Sequence, residues 1–225
     1  MTKLVIFGIG KIGQVALHHF RHDSGYQVAG FVVDKQYVTE ARQYDGLPLV
    51  DFAEAEKHFD PAEHHMFVAV GYHGLNQMRR QRCEQARAKG YRLANYISSD
   101  NKHISNAMLG DNNFIMSGEP LQPKTRIGSG CFIWTNALVG HHSQLGDYCW
   151  VTSGVVIGGN CRIGDHCFLG LNATIGHEVT VGKDCLIGAG ALISKDAQEG
   201  GVYIAAETAR FRLTSQQFLK MNTLQ

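Results

Sequence analysis

The amino-acid sequence predicts an α/β domain followed by a triangular parallel β-helix. Strand-like and helix-like patterns alternate through residues 1–100, a six-residue repeat runs through residues 109–198, and a glycine-rich turn joins the first strand to the first helix. Alternation of strands and helices is typical of a parallel sheet, and a repeat of fixed period is typical of a solenoid. We therefore expect one domain over residues 1–100 and a second over residues 101–225, ending in a short C-terminal tail.

Four strands and three helices are expected in the N-terminal half. The strands, predicted from short apolar runs, cover residues 4–7, 28–33, 66–70 and 93–97. Helices are expected through residues 15–20 and near residues 52–59, and a polar run predicts a third over residues 75–89. Gly90 ends the last helix, and the turn-forming residues 45–48 are expected to connect the second strand to the second helix.

The C-terminal half repeats every six residues. From Leu109 to Ile193, every sixth residue is Leu, Ile or Val, at 15 positions. The next residue is Gly at 10 of these positions, and the fourth residue after is small or Val at 13 of them. In a triangular prism the branched residue would fill the interior, the small residue would lie near a corner, and Gly would supply the unusual backbone of the corner. Three sides make a coil, so residues 109–198 should form about five stacked coils.

Six cysteines are present, a number that suggests disulfides or a zinc site. Five of them occupy the small inward position of the repeat, where a thiol packs like a compact hydrophobic group. These are Cys131, Cys149, Cys161, Cys167 and Cys185, and Cys83 lies by itself on a predicted helix. We expect all six to be reduced packing residues.

Composition and charge are those of an ordinary globular protein. Of the 225 residues, 44% are hydrophobic and 18% are charged, and the formal net charge is +1. This balance gives no reason to expect nucleic acid or an anionic membrane as a partner. No apolar run approaches the roughly 20 residues that span a bilayer, and the first apolar run ends at Gly8, unlike a secretory signal. The protein is expected to be cytoplasmic.

A glycine-rich turn follows the first predicted strand and opens the first helix. Its sequence is Gly8-Ile9-Gly10-Lys11-Ile12-Gly13, and Asp34 ends the second strand 21 residues after Gly13. Such a turn lets the backbone approach a diphosphate, and the acidic residue can bind a ribose or base. The ligand could be a nicotinamide dinucleotide or another diphosphate, and a purely structural turn is the alternative. About four strands, against six in a full dinucleotide fold, favour a Rossmann-like domain for a smaller nucleotide.

Two adjacent histidines are the strongest candidates for chemistry. His141 and His142 occupy neither inward position of the repeat, so both should point outward. Acyl transfer needs a base with a pKa near neutral to accept a proton from the attacking amine or hydroxyl, and histidine is the usual choice. Two solvated surface histidines are the alternative, and His166 and His177 are interpreted as surface residues.

A small nucleotide-binding half followed by this repeat resembles the sugar acyltransferases of the sialic acid O-acetyltransferase type. That family includes bacterial N-acetyltransferases that act on UDP- or TDP-linked amino sugars. The segment Gly140-His141-His142-Ser143-x-Leu145-Gly146-Asp147 matches the family's His-x-x-x-Ile-Gly-Asp motif. The resemblance spans nearly the whole chain. It implies hexapeptide repeats wound as a left-handed β-helix, a homotrimer, and acetyl transfer from acetyl-CoA to an amino or hydroxyl group of a nucleotide-linked sugar.

The resemblance also implies the roles of individual residues. His141 is the implied general base, the amide of Gly159 the implied contact to the acetyl thioester, and Ala189 an implied backbone contact to the pantetheine arm of coenzyme A. No metal is implied. The implied sugar-nucleotide residues lie in or beside the glycine turn and comprise Gly8, Gly10, Lys11, Asp34 and Gly71, with Tyr72 next to the last of them.

The sequence departs from the family pattern at four places. The turn is Gly-Ile-Gly-Lys-Ile-Gly in place of Gly-x-Gly-Gly-His-Gly, so the sugar contacts of that histidine are missing. His142 stands where an acidic residue often follows the catalytic histidine, and Trp150 stands where a later histidine is common. Residues 204–209 replace the common Gly-x-Pro-Ala near the exit path of coenzyme A.

Two other functions compete with sugar acetylation, and a third is excluded. An acyltransferase for a non-sugar acceptor, such as an amino acid, would use the N-terminal half for regulation. A non-catalytic scaffold that binds nucleotide sugars would leave His141 idle. Zinc carbonic anhydrases of the hexapeptide type carry a His-x-x-x-x-His pair, and this class is excluded because no two histidines of the repeat region are five residues apart.

Overall fold

The computed structural model describes residues 1–101, 107–118 and 120–222. Parts of the predicted second domain, residues 102–106, 119 and 223–225, lie outside the described residues. Two kinds of structure follow one another along the chain. The first is an α/β half built on one six-stranded sheet, and the second is a prism built on three sheets of short parallel strands.

The N-terminal half contains most of the predicted strands and helices. The strands are β1 (Thr2–Phe7), β2 (Tyr26–Val33), β3 (Gln43–Tyr44), β4 (Leu47–Asp51), β5 (His64–Val68) and β6 (Arg92–Leu93). The helices are α1 (Lys11–His22), α2 (Ala55–His58) and α3 (Gln77–Ala88), with 3-10 helices at Lys35–Tyr37 and Phe52–Glu54. The sheet has the order β3-β4-β2-β1-β5-β6, and its neighbours are parallel except for the pair β3–β4.

The predicted turn at residues 45–48 is the tip of a β-hairpin. Asp45 and Gly46 have positive φ values of 49° and 73° and connect β3 to β4. An Asp-Gly pair is a strong signal for a two-residue hairpin. The second half of the predicted turn, Leu47 and Pro48, belongs to β4, which pairs in parallel with β2 and extends the sheet.

The strand predicted at residues 93–97 is two strands in different sheets. The first part belongs to β6, whereas β7 (Tyr96–Ile97) pairs within the prism. The N–H of Ala94 still donates to Met66 O of the N-terminal sheet at 2.8 Å, and the N–H of Tyr96 donates to Asn113 O of the prism at 2.9 Å. The chain therefore passes between the two halves without a linker.

The prism has three flat faces, each a parallel sheet of two-residue strands. The seven-strand face contains β7, β9 (Phe114–Ile115), β11 (Phe132–Ile133), β14 (Trp150–Val151), β17 (Phe168–Leu169), β20 (Leu186–Ile187) and β22 (Val202–Tyr203). The five-strand face contains β8 (Met108–Leu109), β10 (Arg126–Ile127), β13 (Gln144–Leu145), β16 (Arg162–Ile163) and β19 (Thr180–Val181). The four-strand face contains β12 (Leu138–Val139), β15 (Val156–Ile157), β18 (Thr174–Ile175) and β21 (Leu192–Ile193). A last helix, α4 (Ser215–Asn222), follows the prism. Among the described helices, none has the length and apolar character of a membrane-spanning segment.

Residues 18 apart pair between neighbouring coils, as the six-residue repeat predicts. Ile133 pairs with Val151, and Ile157 pairs with Ile175. From Ile115 onward, the large residue of each repeat is buried and contributes to one continuous core along the prism. The five cysteines of the repeat, and Cys83, are buried and free, so their prediction as reduced packing residues is confirmed.

The corners use the left-handed backbone region once every six residues. From Asn112 to Gly190, each sixth residue has a positive φ, and ten of these fourteen residues are not glycine. The glycines that follow the large residues do not adopt positive φ, so the expectation that they supply the corner backbone is wrong. They are needed because neighbouring coils approach closely. A Cβ on Gly140, for example, would lie 2.5 Å from the carbonyl carbon of Gly158.

Aromatic side chains on the seven-strand face join the prism to the N-terminal half. Phe114, Phe132 and Trp150 form a stacked ladder, with 5.4 and 4.8 Å between successive ring centroids. Phe67 of the N-terminal sheet lies 5.8 and 5.9 Å from the first two rings, and all four side chains are buried. The N-terminal half thus covers the first coils of the seven-strand face, whereas Val202 on the last strand of that face is 63% exposed.

Candidate functional site

The corner between the four-strand and five-strand faces carries the predicted catalytic histidine. Successive coils place Pro123, His141, Gly159, His177 and Lys195 in one column at this corner. Backbone hydrogen bonds hold the column together: the N–H of residue 160 donates to His141 O at 2.9 Å, and the N–H of residue 178 donates to Gly159 O at 3.0 Å. The repeat therefore stacks Gly159 directly on the coil that carries His141.

The imidazole of His141 lies over the backbone of Gly159. A Cβ on Gly159 would lie 2.6 Å from Cε1 and 2.7 Å from Nε2 of His141, so the glycine makes room for the ring. The Nδ1 atom of His141 lies 3.1 Å from Nδ1 of His142, with the rings nearly perpendicular at 87°. A hydrogen bond between these nitrogens has one donor and one acceptor. When His141 donates, its Nε2 keeps a lone pair beside Gly159, which is the arrangement of a base.

The amide of Gly159 is available as a hydrogen-bond donor. The N–H groups on either side of it are used, since Gly158 donates to Ile175 O at 2.9 Å and Asn160 donates to His141 O at 2.9 Å. Within the described ranges the N–H of Gly159 has no acceptor. A free backbone N–H beside a base is the kind of group that stabilises a developing oxyanion.

Ala189 lies at the opposite edge of the four-strand face, on the corner with the seven-strand face. It stacks on Leu171 there, and the N–H of Gly190 donates to Leu171 O at 2.8 Å. A ligand that touched both Gly159 and Ala189 would cross the outer side of the four-strand face. The side chains on that side are mostly apolar and comprise Leu138, Val156, Thr174 and Leu192.

The two histidines interpreted as surface residues have different settings. His166 is buried, its ring stacks on Tyr148 at 5.5 Å, and burial lowers its pKa, so the surface interpretation is wrong. His177 is exposed, but its ring centroid lies 6.2 Å from that of His141, and its Nε2 lies 3.4 Å from Glu178 Oε1. His177 is therefore a neighbour of the site, two coils from His141.

Neither here nor elsewhere in the described chain do three or more metal-binding side chains form a group that could hold an ion.

The glycine turn places open N–H groups at the carboxyl end of β1. Gly8 has a φ of 107°, and its N–H donates to Val32 O at 2.9 Å. Gly13 packs against it so closely that a Cβ would lie 2.1 Å from Gly8 O. Gly10 precedes α1 with no side-chain cap, and a Cβ there would have no neighbour within 4 Å. The first N–H groups of α1 thus face open space, with exposed Lys11 beside them, as an anion site requires.

Asp34 is engaged by an arginine that the sequence pattern does not single out. Arg82 of α3 donates from Nη2 to Asp34 Oδ2 at 2.7 Å, and its guanidinium lies 5.4 Å from the ring centroid of Phe7. Arg82 therefore adds a positive charge at the sheet edge that carries the glycine turn. The two partners are 48 residues apart, so no local sequence signal could have found this pair.

Gly71 lies beyond the end of β5, next to the glycine turn. A Cβ on Gly71 would lie 3.8 Å from Ile12 Cγ1. The following residue, Tyr72, packs on the prism, with its ring centroid 5.4 Å from Trp150 and 5.0 Å from Phe168. Trp150 is buried at this junction and does not reach the four-strand face.

The predicted residues form two groups on opposite sides of the prism. The N-terminal half, which carries the glycine turn, packs on the seven-strand face, whereas His141 lies on the corner between the other two faces. The structure brings His141 and Gly159 into contact. It also gathers at one sheet edge the predicted nucleotide residues Gly8, Gly10, Lys11, Asp34 and Gly71. It does not bring the two groups together within one chain.

Comparison with known proteins gives one family and several similar structures. The profile of bacterial transferase hexapeptide repeats matches residues 124–159 and 160–195. The acetyltransferase domain of PglB from Neisseria gonorrhoeae is 26% identical, with a TM-score of 0.77 over 91% of this chain and 97% of that chain. PerB from Caulobacter crescentus, solved with CoA and GDP-perosamine, is 26% identical, with a TM-score of 0.78 over 90% of this chain and 94% of that chain. No curated protein gives a significant match.

One of these structures is also known with an acyl donor. The PglB domain in complex with acetyl coenzyme A is 25% identical to this chain, with a TM-score of 0.72 over 91% of this chain and 96% of that chain. These findings confirm the resemblance that the sequence predicts. Residues 124–195 match the profile of bacterial transferase hexapeptide repeats, and the chain resembles the PglB acetyltransferase domain and PerB over nine tenths of its length.

Proposed function

We propose that this protein transfers the acetyl group of acetyl-CoA to an amino or hydroxyl group of a nucleotide-linked sugar. The observation that carries the proposal is the contact of the His141 ring with Gly159, whose N–H is free, on a hexapeptide-repeat prism. In support, PerB has been solved with CoA and GDP-perosamine, and the PglB domain with acetyl-CoA. In this proposal residues 1–100 are a Rossmann-like domain that binds the sugar nucleotide, and residues 101–225 form a left-handed β-helix that carries out acetyl transfer.

His141 acts as the general base in this mechanism. Its Nε2 accepts a proton from the sugar amine or hydroxyl while that nitrogen or oxygen attacks the carbonyl carbon of the thioester. The N–H of Gly159 donates to the oxyanion of the tetrahedral intermediate. The C–S bond then breaks and the CoA thiolate takes the proton from His141, which leaves an acetylated sugar and a free CoA thiol. The thioester is already activated, so no covalent enzyme intermediate is required, and alignment of the two substrates supplies most of the rate gain.

His142 fixes the tautomer of the base. Its Nδ1 accepts the proton that His141 carries on Nδ1, which leaves Nε2 of His141 free for the substrate. The same hydrogen bond stabilises the imidazolium form of His141 during the reaction.

We infer a homotrimer in which neighbouring chains share the active site. A substrate bound at residues 8–13 of one chain lies on the far side of the prism from its own His141, so it requires the histidine of a neighbour. The four-strand face beside His141 offers a surface for that neighbour, because Val156 and Leu192 are 40% and 68% exposed. Exposed apolar side chains on one face favour association. Acetyl-CoA would lie between neighbouring prisms, along Gly159 and Ala189.

Titration calorimetry with acetyl-CoA, UDP, TDP and GDP, each added separately, tests the proposal. We expect acetyl-CoA and one of the nucleotides to bind, and release of CoA thiol when both acetyl-CoA and a sugar linked to that nucleotide are present. Binding of acetyl-CoA without any nucleotide would favour a non-sugar acceptor, and binding of a nucleotide without acetyl-CoA would favour a non-catalytic scaffold. Binding of NADH with no response to acetyl-CoA would contradict acetyl transfer altogether.

Gly10→Ala is expected to weaken nucleotide binding about tenfold without lowering stability. The φ of −68° at Gly10 suits alanine, and no atom lies within 4 Å of the new methyl group. The methyl group would occupy the space through which a diphosphate approaches the N–H groups at the start of α1. Calorimetric affinity for the preferred nucleotide and the melting temperature are the measurements. The matched control is Gly25→Ala, because a Cβ there also has no neighbour within 4 Å but lies beyond the other end of α1. Equal nucleotide affinities in the two variants would count against the glycine turn as the nucleotide site.

A further inference from the structure

Arg79 is a fully buried guanidinium at the junction of the two halves. It is the largest side chain among those that are fully buried, and within the described part of the chain it has no carboxylate partner. Burial lowers its pKa to about 10, so the side chain stays charged at neutral pH. A buried charge requires compensation from nearby dipoles. Arg79 receives it from backbone carbonyls, one side-chain amide and aromatic rings.

On the prism side, Arg79 binds two neighbouring coils. Its Nε donates to Gly130 O at 2.8 Å, and its Nη2 lies 3.1 Å from Tyr148 O and 3.4 Å from Cys149 O. The guanidinium also stacks on the aromatic ladder, with Cζ 4.7 Å from the ring centroid of Phe132. These contacts fix the position of Arg79 relative to the prism.

On the N-terminal side, the same guanidinium holds the residues that follow β5. Nη1 donates to Val70 O and to Gly71 O, each at 3.1 Å. This segment forms one wall of the glycine turn, since a Cβ on Gly8 would lie 3.1 Å from Ala69 O. Arg79 therefore connects the prism to the wall of the turn through backbone groups.

The backbone that leads into α3 is strained in a way that serves this contact. Gly74, Leu75 and Asn76 have positive φ values of 58°, 47° and 68°. Residues with a Cβ rarely adopt this region, and they persist there when the surroundings hold them, often near functional sites. Asn76 is buried, and its Oδ1 accepts from Arg79 Nη2 at 2.9 Å. The turn with positive φ values thus places the side chains of Asn76 and Arg79 in the junction between the two halves.

We propose that Arg79 is a positioning residue of the nucleotide-sugar site. By holding the carbonyls of Val70 and Gly71 against the prism, it fixes the wall of the glycine turn and so the position of a bound nucleotide. This inference rests on the proposed function. It adds that nucleotide affinity depends on contacts with the prism, because Arg79 does not touch the nucleotide and acts through the backbone groups that it holds. A purely structural role would change stability and leave the affinity of the folded protein unchanged.

Calorimetry on Arg79→Lys and Arg79→Met tests this role. Arg80→Ala is the control, because Arg80 lies on the same helix, is exposed and pairs with Glu84. For each variant, circular dichroism and size exclusion confirm folded protein before acetyl-CoA and the preferred nucleotide are titrated. We expect the two Arg79 variants to bind the nucleotide about tenfold more weakly or worse, acetyl-CoA within about twofold of wild type, and the control to match wild type for both. Folded Arg79 variants with a lower melting temperature but normal nucleotide affinity would overturn the proposal.

Hydrogen exchange on the wild-type protein tests the same coupling if the Arg79 variants do not fold. Coupling between two sites is reciprocal, so saturating nucleotide should also slow amide exchange in the prism around residues 130 and 148–149. Slower exchange at residues 8–13 with no change in those coils would overturn the positioning role. Failure of every nucleotide to bind wild-type protein would instead count against the proposed function, and the positioning role would fall with it.

Discussion

His141→Ala is expected to lower kcat by about 10²- to 10⁴-fold, the contribution of a general base. The side chain is exposed and its ring rests on the backbone of Gly159, so its removal leaves the prism core untouched and the variant should fold as wild type does. Affinities for acetyl-CoA and the nucleotide should change little, because proton transfer stabilises the transition state and not the bound substrates. Steady-state release of CoA thiol, with the two affinities measured separately, is the test.

His177→Ala is the matched control for this experiment. His177 is also exposed at the same corner, two coils from His141, and the proposed mechanism gives it no proton to transfer. We expect its kcat to stay within about fivefold of wild type. Equal losses of kcat in His141→Ala and His177→Ala would show that activity depends on the corner as a whole and that His141 has no special role. Retention of most of the activity in His141→Ala would favour a scaffold.

Gly159→Ala is expected to lower kcat by about 10- to 100-fold with little change in stability. The added Cβ would lie 2.6 Å from Cε1 and 2.7 Å from Nε2 of His141, so the imidazole must move away from its position over the backbone. The ring is the exposed end of a side chain and can rotate, which relieves the clash without disturbing the coil. Nε2 of His141 and the N–H of Gly159 would then no longer be directed at the same reacting groups. The measurements are kcat and the melting temperature.

Gly164→Ala, at the next corner of the prism after Gly159, gives the contrasting result. A Cβ on Gly164 would lie 2.5 Å from the backbone nitrogen and 2.7 Å from the Cα of Lys183, and these atoms cannot move without separating the coils. We therefore expect a melting temperature lower by about 5 °C or more, with normal kcat in the protein that remains folded. If Gly159→Ala showed this same pattern, the contact between ring and glycine would have no part in catalysis.

The prism could be predicted from the sequence because each of its residues has a local and recurring environment. A branched residue every six positions meets an equivalent residue in the coil above and below, so the pattern alone predicts pairs such as Ile133 with Val151. The exposure of His141 could be predicted for the same reason, since it occupies neither inward position of the repeat. The contact with Gly159 also follows from the period, because the two residues are one coil apart.

The features that escaped prediction depend on contacts between distant segments. His166 occupies an outward position, yet it is buried: its ring stacks on Tyr148, and Nδ2 of Asn76, the residue before α3, donates to His166 O at 3.4 Å. Arg82 and Arg79 carry no local signal, since their partners lie across the sheet and on the prism. The reason for the glycines after the large residues also escapes prediction, because the distance between coils, and not φ, decides where a Cβ is forbidden.

The direct passage from the N-terminal sheet into the prism limits how this protein can be divided. Ala94 is still bonded to the sheet and Tyr96 is already bonded to the prism, and the aromatic ladder of the seven-strand face is covered by the N-terminal half. Removal of residues 1–93 would expose Phe114, Phe132 and Trp150 to water. The two halves are therefore not interchangeable modules. For the proposed enzyme, a change of sugar specificity by grafting a different N-terminal domain would therefore require redesign of the aromatic face as well.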